Sequence, residues 1–473
     1  MLKHWFFKWQ PLDRVALGLI AVVMVMIAGL AWGGDQTLPR VRYFTWQDRD
    51  IGAADRAFIL SFSRQMDWEL ISEAITIDPP LPGKTSWSGR RLAYTLLEPI
   101  PYGQGFQINV DIPTEPPAKP EMEPFSGFFR SRDRVIAYIG TGSEAGKLIL
   151  NNLTLQQKLT LTPANLNVLD FQPYPQGERI LFSAVPTDQS SGDPELYTVT
   201  TGLVVTPPEE PTHSPRPPGE VTKILDNRDY QLVKFELSQD GQRLVIQRIQ
   251  RGPDGGEASL WLIEGDQAPQ QLNQPATGDF HIAPDSENLV MAQGQGLAIV
   301  PLTERQQGEL LSFLPQYGMV LAFSPDGRDA AMVKFNPDFT RSLYLVNSQG
   351  QAKELLKTTG SLLSAAFDPR GKVLYCLMTR LRPDEQFREQ SFIAMVDIRD
   401  GHLTPILDLV GQKNLGIGLA ADGSGLIFDQ TTPGQQQDFQ VILLPIQALE
   451  QGEVIKLLPP QALGPGIHPQ WFP

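Results

Sequence analysis

The stretch Ala322–Val333, "AFSPDGRDAAMV", consists of two apolar, strand-like halves around a tight turn. Asp326 and Gly327 supply that turn, because Asp-Gly is favoured where a two-residue hairpin needs positive φ. Pro325 fits the end of a strand, where no ladder donor is required. Phe323 precedes the turn and serves as an apolar anchor for a core. The stretch therefore predicts a β-hairpin, and related stretches occur along most of the chain.

The hairpin belongs to a repeated unit. Seven other positions match Phe323 as anchors: Phe129, Phe171, Leu237, Ile282, Phe367, Leu419 and Trp471. Most successive anchors are separated by about 40–50 residues, the length of a four-stranded propeller blade. One longer interval contains the Pro-rich insert 204–220. Seven complete sets of second, third and fourth strands follow the anchors, which predicts an all-β fold with a seven-bladed β-propeller.

The two ends of the repeated region are predicted to meet. There are eight anchors but only seven complete sets, and a closed ring has no place for a spare inner strand. We expect the terminal "HPQWFP" (468–473) to form the innermost strand of the first blade, beside "RVIAYIG" (134–140). This arrangement removes exposed strand edges. Rings of six or eight blades remain alternatives.

The repeats resemble TolB-type, WD40-like propeller repeats of the periplasm. The resemblance rests on "AFSPDG", "LSQDG", "AFDPRG" and the third strand "SLYLVNSQG", and it covers residues 125–473. Two copies depart from the pattern, because Arg370 replaces the turn Asp and "APDSEN" lacks the Gly. The resemblance implies a propeller that serves mainly as a protein-binding platform.

Residues 36–113 have a different organisation. Short strands with period-two alternation and turn signals predict a small β-sandwich. The stretch resembles bacterial Ig-like domains, on the basis of "LSFSRQMD" (60–67), "ITIDPPLPG" (75–83), Trp87 and "LAYTLLEPIPYGQGFQI" (92–108). The resemblance implies a spacer or adhesion module without catalysis. The Pro-rich stretch 114–124 is predicted to be a semi-rigid linker to the propeller.

The first 35 residues predict a membrane anchor. Val15 to Trp32 carries no charge over 18 residues, about the length that a transmembrane helix needs. Lys3, Lys8 and Arg14 precede this run and predict a cytoplasmic N-terminus, with the remaining domains in the periplasm of a bacterial inner membrane. The alternative is a signal peptide cleaved after Ala31, which would release the protein outside the cytoplasm.

Charge and cysteine content exclude several classes of function. The formal net charge of −14 disfavours nucleic-acid binding, which requires a basic surface. The single cysteine, Cys376, excludes an internal disulfide and a thiolate metal cluster. Cys376 lies in the apolar run "KVLYCLM" and is expected to be a buried, inert thiol.

Known catalytic motifs are missing. The sequence has neither H-E-x-x-H nor G-x-S-x-G. The segment "GTGSEAGKL" (140–148) does not have the P-loop spacing and is predicted to be a hairpin loop. The recurring turn residues Asp240, Asp326 and Asp422 lack the array of a calcium loop. No catalytic residue, cofactor or metal ligand is therefore assigned.

A set of polar residues suggests a functional site. The loops that enter the inner strands carry Asn165, Asn167, Asp229, Tyr230, Asp279, His281, Asn414 and His468. These residues could form a solvated channel mouth, bind a sugar or peptide, or place carboxylates for acid–base catalysis. The favoured hypothesis is a non-catalytic envelope scaffold that binds a protein or glycan. The alternative is an envelope hydrolase or lyase that acts on a glycan or peptide at the channel mouth.

Overall fold

The computed structural model describes most of the chain. The described residues are 11–33, 38–53, 55–112, 122–188, 192–203, 216–252, 256–276, 278–302, 312–381, 389–409, 416–431, 438–448 and 455–472. The predicted mouth residue Asn414 and most of the predicted linker lie outside these ranges.

The N-terminal apolar run forms a helix. Helix α1 spans Pro11–Gly33, and its side chains from Val15 to Ala28 are all exposed. Within the described ranges, no helix is both long enough and apolar enough to cross a membrane. The predicted transmembrane anchor is therefore not confirmed.

A β-sandwich follows the helix. Its elements are β1 (Val41–Phe44), β2 (Asp50–Ile51), β3 (Ala57–Phe62), α2 (Trp68–Ala74), β4 (Ile75–Asp78), β5 (Gly83–Ser88), β6 (Arg91–Leu96), β7 (Gly105–Val110) and β8 (Phe125–Ser131). One sheet has the order β1-β3-β6-β5 and the other β2-β8-β7-β4, in which β2 and β8 are parallel. The two sheets share a single core. In it, buried Phe58 of the first sheet and Trp46, which follows β1, pack with Phe106 and Phe129 of the second sheet.

Strand β8 corrects the predicted domain boundary. The sequence predicts that the propeller begins with residues 125–131, but residues 125–130 pair with β7 of the sandwich. Phe129 is fully buried and its ring stacks on that of Phe106 at 5.3 Å. Its apolar side chain therefore belongs to the sandwich core, and the predicted anchor role of Phe129 in the propeller is wrong. The Pro-rich stretch joins two strands of one sheet rather than two domains.

The strands from Val135 to Trp471 form seven blades. Blades 2 to 6 are separate four-stranded sheets, and blades 1 and 7 are joined in one eight-stranded sheet. Blade 1 uses β9 (Val135–Gly140), β10 (Leu148–Asn152) and β11 (Gln157–Thr160), with a strand from the C-terminus. Blade 2 contains β12 (Leu166–Pro173), β13 (Arg179–Pro186), β14 (Glu195–Thr200) and β15 (Val221–Leu225). Blade 3 contains β16 (Tyr230–Leu237), β17 (Arg243–Gln250), β18 (Ala258–Glu264) and β19 (Gln270–Pro275).

Blades 4 to 7 have the same antiparallel order. Blade 4 contains β20 (Phe280–Ile282), β21 (Asn288–Gln293), β22 (Gly296–Pro301) and β23 (Ser312–Leu314). Blade 5 contains β24 (Met319–Phe323), β25 (Asp329–Phe335), β26 (Arg341–Asn347) and β27 (Ala352–Thr358). Blade 6 contains β28 (Leu362–Phe367), β29 (Val373–Leu381), β30 (Glu389–Asp397) and β31 (Leu403–Asp408). Blade 7 contains β32 (Gly418–Leu419), β33 (Gly425–Thr431), β34 (Phe439–Ala448) and β35 (Ile455–Leu457), and the chain ends with β36 (Gln461–Trp471).

The C-terminal strand joins the first and last blades. The second half of β36 pairs with β9 as the innermost strand of blade 1, with Ile467 opposite Ile139 and Trp471 opposite Ile136. The first half of β36 pairs with β34 of blade 7. The prediction that the C-terminus completes the first blade is confirmed, and the strand that does so is longer than expected.

Apolar clusters hold each blade to the next. Seven clusters link successive pairs of blades, and the seventh brings Ile427 of blade 7 against Ile136 and Tyr138 of blade 1. Because the last blade packs on the first, the sheets form a closed propeller. Burial of these strand faces is the main favourable contribution to folding.

The repeated turn is built as the sequence predicts. Six turns between first and second strands place a residue with positive φ at the same position: Gly177, Gly241, Ser286, Gly327, Gly371 and Gly423. In blade 5, Oδ1 of Asp326 accepts hydrogen bonds from Ser324 Oγ at 2.7 Å and from the backbone N–H of Arg328 at 3.2 Å. The turn Asp is therefore a local capping group. Counted from these turns, Pro173 rather than Phe171 is the equivalent of Phe323.

The turns define two faces of the propeller. The face with the turns between first and second strands is the turn face, and the face with the loops between second and third strands is the open face. The sandwich contacts the turn face: the backbone N–H of Tyr102 donates to Asp422 Oδ2 at 3.1 Å. Glu98 of the sandwich also pairs with Arg370 at 3.4 Å.

Candidate functional site

Two positions on the inner strands differ sharply between blades. They lie five and seven residues before the positive-φ turn residue, or at the matching places in β36. In blades 1 to 4 they hold a polar set that we call the channel arc: His468 and Gln470, Asp170 and Gln172, Lys234 and Glu236, and Asp279 and His281. In blades 5 to 7 the same positions hold Val320 and Ala322, Ser364 and Ala366, and Gly416 and Gly418. Inner strands line the central channel of a propeller, so this channel has a polar side and a side of small residues. Val320 is the exception, because it is buried in the apolar cluster between blades 4 and 5.

A four-residue cluster occupies the arc between blades 3 and 4. Lys234 Nζ donates to Asp279 Oδ1 at 2.5 Å and lies 3.6 Å from Glu236 Oε2. His281 lies between two carboxylates, with Nδ1 3.2 Å from Glu236 Oε2 and Nε2 3.6 Å from Asp279 Oδ2. The adjacent ring of Phe280 lies under the Lys234 ammonium at 4.5 Å. One cation and one imidazole are thus shared by two carboxylates.

This cluster keeps Asp279 charged. Burial raises the pKa of the Asp279 carboxyl, but the hydrogen bond and charge of Lys234 and the nearby His281 outweigh burial. The net effect lowers the pKa below its ordinary value. At neutral pH Asp279 is therefore an acceptor and a fixed negative charge rather than a proton donor.

A second pair occupies the arc between blades 1 and 2. His468 Nε2 lies 3.4 Å from Asp170 Oδ1 and 3.3 Å from Gln470 Nε2. The backbone N–H of His468 donates to Asp429 Oδ2 at 2.8 Å, which fixes the strand against blade 7. Burial raises the pKa of Asp170, and His468 and the N–H of Phe171 only partly offset it. A carboxyl with a raised pKa beside an imidazole is suited to proton exchange.

Several arc side chains also connect neighbouring blades. Gln172 Oε1 accepts from the N–H of Leu237 at 2.8 Å, and Glu236 Oε1 accepts from the N–H of Ile282 at 2.8 Å. Gln470 Nε2 donates to the carbonyl of Phe171 at 2.8 Å. These bonds satisfy inner-strand backbone groups that no fifth strand pairs. Part of the arc therefore has a structural role, and its remaining acceptors and imidazoles are the groups that a ligand could bind.

The structure brings some of the predicted mouth residues together. Asp279, His281 and His468 belong to the arc. The side chains of Asn165, Asn167 and Asp229 are exposed outside it, and half-buried Tyr230 packs on Arg248. Asn414 lies outside the described residues. Both histidines lie beside carboxylates, as predicted. The partners of His281 are Glu236 and Asp279, and the partner of His468 is Asp170; Glu236 and Asp170 were not predicted.

The missed residues are Asp170, Gln172, Lys234, Glu236 and Gln470. In blades 2 and 3 these residues lie at a fixed distance before the turn glycine, which is a signal in the sequence; Gln470 has no such turn after it. The error at Phe171 contributed, because a shift of two residues hid the equivalence of Asp170 with Lys234 and Asp279. Aligning the turns rather than the apolar anchors would have revealed the arc.

Other predicted features have simple structural roles. Segment 140–148 joins β9 to β10 as a hairpin loop, as expected. Cys376 is fully buried, and burial raises the pKa of its thiol to about 12, so it stays protonated. Across the part of the chain that the structure describes, no group of three His, Cys, Asp or Glu residues is placed to hold a metal ion.

A cavity of about 340 Å³ lies where the sandwich meets blades 1 and 2. Its polar wall contains Arg130, which pairs with Asp133, and Asn152, whose Nδ2 donates to Asp133 Oδ2 at 2.8 Å. Burial raises the pKa of Asp50 in the same wall, against the nearby charge of Arg130. Cavities between domains are frequent ligand sites, so this one is a second candidate.

Comparisons with known proteins find similar folds but do not indicate a function. No protein-family model matches the sequence, and no curated protein matches it. TolB from Acinetobacter baumannii is similar in structure over 85% of this chain and 83% of its own, with 10% identity and a TM-score of 0.41. An oligogalacturonate lyase in complex with manganese is similar over 63% of this chain and 82% of its own, with 11% identity and a TM-score of 0.47. An oligogalacturonate lyase from Vibrio parahaemolyticus covers 63% of this chain and 89% of its own, with 12% identity and a TM-score of 0.45. The structural neighbours thus include TolB proteins and enzymes, and at these similarities none of them indicates a function for this chain.

Proposed function

We propose that this protein is a non-catalytic binding protein of a bacterial cell envelope. Helix α1 attaches it to a membrane, the sandwich serves as a spacer, and the propeller binds an envelope protein or a glycan. The observation that carries the proposal is the position of the sandwich. It contacts the turn face, so the open face and the channel arc remain for a partner.

The junction between the domains supports a fixed orientation. The Asp422 side chain is only 2% exposed, and its carboxylate accepts from the N–H groups of Tyr102 and Ser424 at 3.1 and 3.0 Å. Arg134 lies 3.6 Å from the same carboxylate. A buried carboxylate with this many donors resists separation, because losing them would leave an uncompensated charge. The sandwich and the propeller should therefore keep a fixed orientation, in which the open face of the propeller stays uncovered by the sandwich.

The sandwich has the organisation of an Ig-like spacer. Its first sheet, β1-β3-β6-β5, corresponds to strands A, B, E and D of an immunoglobulin constant-type domain. Strands β4, β7 and β8 correspond to C, F and G in the second sheet. This order supports the Ig-like resemblance, whose implied role is spacing or adhesion.

Membrane attachment by α1 is supported by its exposed apolar side chains. Val15 and Val25 are 66% and 71% exposed, which is costly for a helix in water. The test compares the full chain with a variant that begins at residue 38, after cell fractionation and alkaline extraction. We expect the full chain in the membrane pellet and the shortened chain in the soluble fraction. Equal distribution would contradict attachment, and a mature mass that begins after Ala31 would identify a cleaved signal instead.

The binding role can be tested with a photo-crosslinking residue at two positions. Phe339 is 91% exposed in the loop between β25 and β26 on the open face. Leu155, which is 51% exposed near the sandwich, is the matched control on the turn face. We expect one discrete crosslinked species, or retention on one envelope glycan, that depends on the open face. Equal crosslinking from both positions, or no species and no retention, would contradict the proposal.

The alternative is an envelope hydrolase or lyase, and the contacts of the two histidines favour it. His281 lies between Glu236 and Asp279, and His468 lies beside Asp170, whose pKa burial raises. In this case D170N or H281Q should reduce turnover of envelope glycans or peptides by at least about 100-fold. Product formation by the wild-type chain, measured by mass spectrometry, decides between the two functions.

A further inference from the structure

Arg248 is a buried cation at the interface of blades 2 and 3. It follows Leu244 and Ile246 on alternate positions of β17, and both of these belong to the apolar cluster between the two blades. Side chains two residues apart on a strand share a face. Arg248 therefore continues this apolar row, and only 8% of its surface is exposed. It lies near the end of β17 that leads to the open face.

Two aromatic rings hold the guanidinium. The guanidinium carbon lies 4.4 Å from the centre of the Tyr230 ring and 4.1 Å from that of Trp261. The rings are 5.3 Å apart, edge to face, and Trp261 Nε1 donates to Ser259 Oγ at 2.9 Å. Guanidinium groups stack favourably on aromatic faces. The rings thus orient the Arg248 fork without using its hydrogen-bond donors.

The donors of this guanidinium have no acceptor. Among the residues that the structure describes, none forms a hydrogen bond or ion pair with it, and its buried Nε is unsatisfied. Neighbouring arginines differ: Arg251 pairs with Asp193 and donates to the carbonyl of Asn227 at 2.9 Å, and Arg228 pairs with Asp226. A buried charge without a partner is strongly unfavourable, and arginine stays protonated at any physiological pH.

We propose that Arg248, stacked between Tyr230 and Trp261, is the anchor of a binding site for a ligand carboxylate. A carboxylate is planar and accepts two parallel N–H bonds, which matches the edge of the guanidinium fork. Its single charge balances one arginine. A phosphate dianion fits less well, because the negative charge of Asp226 acts on Arg248 and would repel the second charge of the phosphate. This inference is independent of the proposed function.

Binding is tested by isothermal titration of the full chain with glucuronate, N-acetylglutamate, acetate and inorganic phosphate at constant ionic strength. We expect saturable binding of at least one carboxylate that R248Q weakens at least tenfold. R248K should also bind weakly, because lysine has no planar fork. The control R228Q removes the same charge from an exposed side chain in the loop before β16 and should change the affinity less than twofold. Glucuronate and N-acetylglutamate distinguish a sugar acid from an acidic side chain as the source.

Specific outcomes would overturn the proposal. Equal carboxylate affinity in the wild type and R248Q, tighter binding of phosphate than of any carboxylate, or no binding at all would each do so. If R248Q does not fold, R248K, which keeps the charge and most of the volume, provides the same comparison.

Discussion

Blades 1 to 4 and blades 5 to 7 use one repeated unit for different purposes. Blades 2 to 7 have the same turn between first and second strands, and all seven blades have the same apolar packing between neighbours. At the two inner-strand positions before the turn, however, the first group carries the polar channel arc and the second carries small or apolar residues. The repeat therefore maintains the backbone of the ring, and function should depend on the positions at which the repeat diverges.

This comparison separates fold from function in a testable way. Changes to shared features of the repeat should reduce stability in either group without a specific effect on binding. Changes in the channel arc should alter binding more than their effect on stability explains. The predictions below are ordered from the largest expected loss of stability to the smallest.

The largest loss is expected from Phe428→Ala in blade 7. Phe428 is fully buried in the cluster between blades 6 and 7, and its removal leaves a cavity. We expect a loss of about 3–5 kcal/mol in the free energy of unfolding, measured by urea denaturation. Phe339→Ala is the control, because Phe339 is exposed and should lose about 0.5 kcal/mol or less. Losses of equal size would show that the clusters between blades do not maintain the ring.

A smaller loss with a binding effect is expected from Lys234→Met in the arc. Lys234 donates to Asp279 and to the carbonyl of Phe280, each at 2.5 Å, so its removal takes one donor away from each of two acceptors. We expect a loss of about 2 kcal/mol by urea denaturation and altered binding of the open-face partner. The control is Lys357→Met, which breaks an exposed pair with Asp338 and should cost about 0.5 kcal/mol. Unchanged binding in the Lys234 variant would contradict the claim that the channel arc of blades 1 to 4 is the part of the ring that binds a partner.

Sequence reasoning predicted the architecture of the propeller ring better than the residues that line its channel. The turn pattern predicted seven blades and the role of the C-terminal strand, because turn chemistry and period-two burial are local properties. The start of the propeller was wrong, since "FSGFFRS" alternates like any strand and only the aromatic packing of Phe129 on Phe106 assigns it to the sandwich. Strand order carries that information, and strand order is not local.

The arc was predicted in part for a related reason. His281 and His468 were noticed because histidine is rare in this chain, with five copies in all. Lys234 and Glu236 look like ordinary charges of an alternating strand, and their role follows from contacts between blades. Arg248 is a clearer case: its place in "RLVIQRI" suggests a solvated side chain, whereas the structure stacks it between Tyr230 and Trp261. Pairwise contacts across blades are what the sequence pattern cannot supply.

Gly327→Ala tests the positive-φ turn that blades 2 to 7 share. Gly327 has φ of +69°, and a Cβ there would lie 3.1 Å from the Pro284 side chain of the neighbouring blade. We expect a loss of about 1–2 kcal/mol from the left-handed conformation, with unchanged binding. Gly350→Ala is the matched control, because Gly350 has φ of +77° with no atom near a Cβ. Both variants should show the conformational cost, and any excess in G327A measures contact between blades.

The smallest effect concerns two carboxyls whose pKa burial raises: Asp170 in the arc and Asp368 in the turn of blade 6. A raised pKa means that the folded chain holds the proton more tightly than the unfolded chain, so the ionised carboxylate of Asp368 costs stability at neutral pH. We expect D368N to be slightly more stable than the wild type at pH 7, by less than about 1 kcal/mol. The gain should shrink as pH falls through the raised pKa and vanish below the ordinary value of 3.8, in urea denaturation at several pH values. A loss of stability at pH 7 would mean that the contact of the Asp368 carboxylate with the N–H and charge of Arg370 outweighs burial.

D170N should differ from D368N in one respect, because Asp170 contacts His468 in the channel: only D170N should change partner binding.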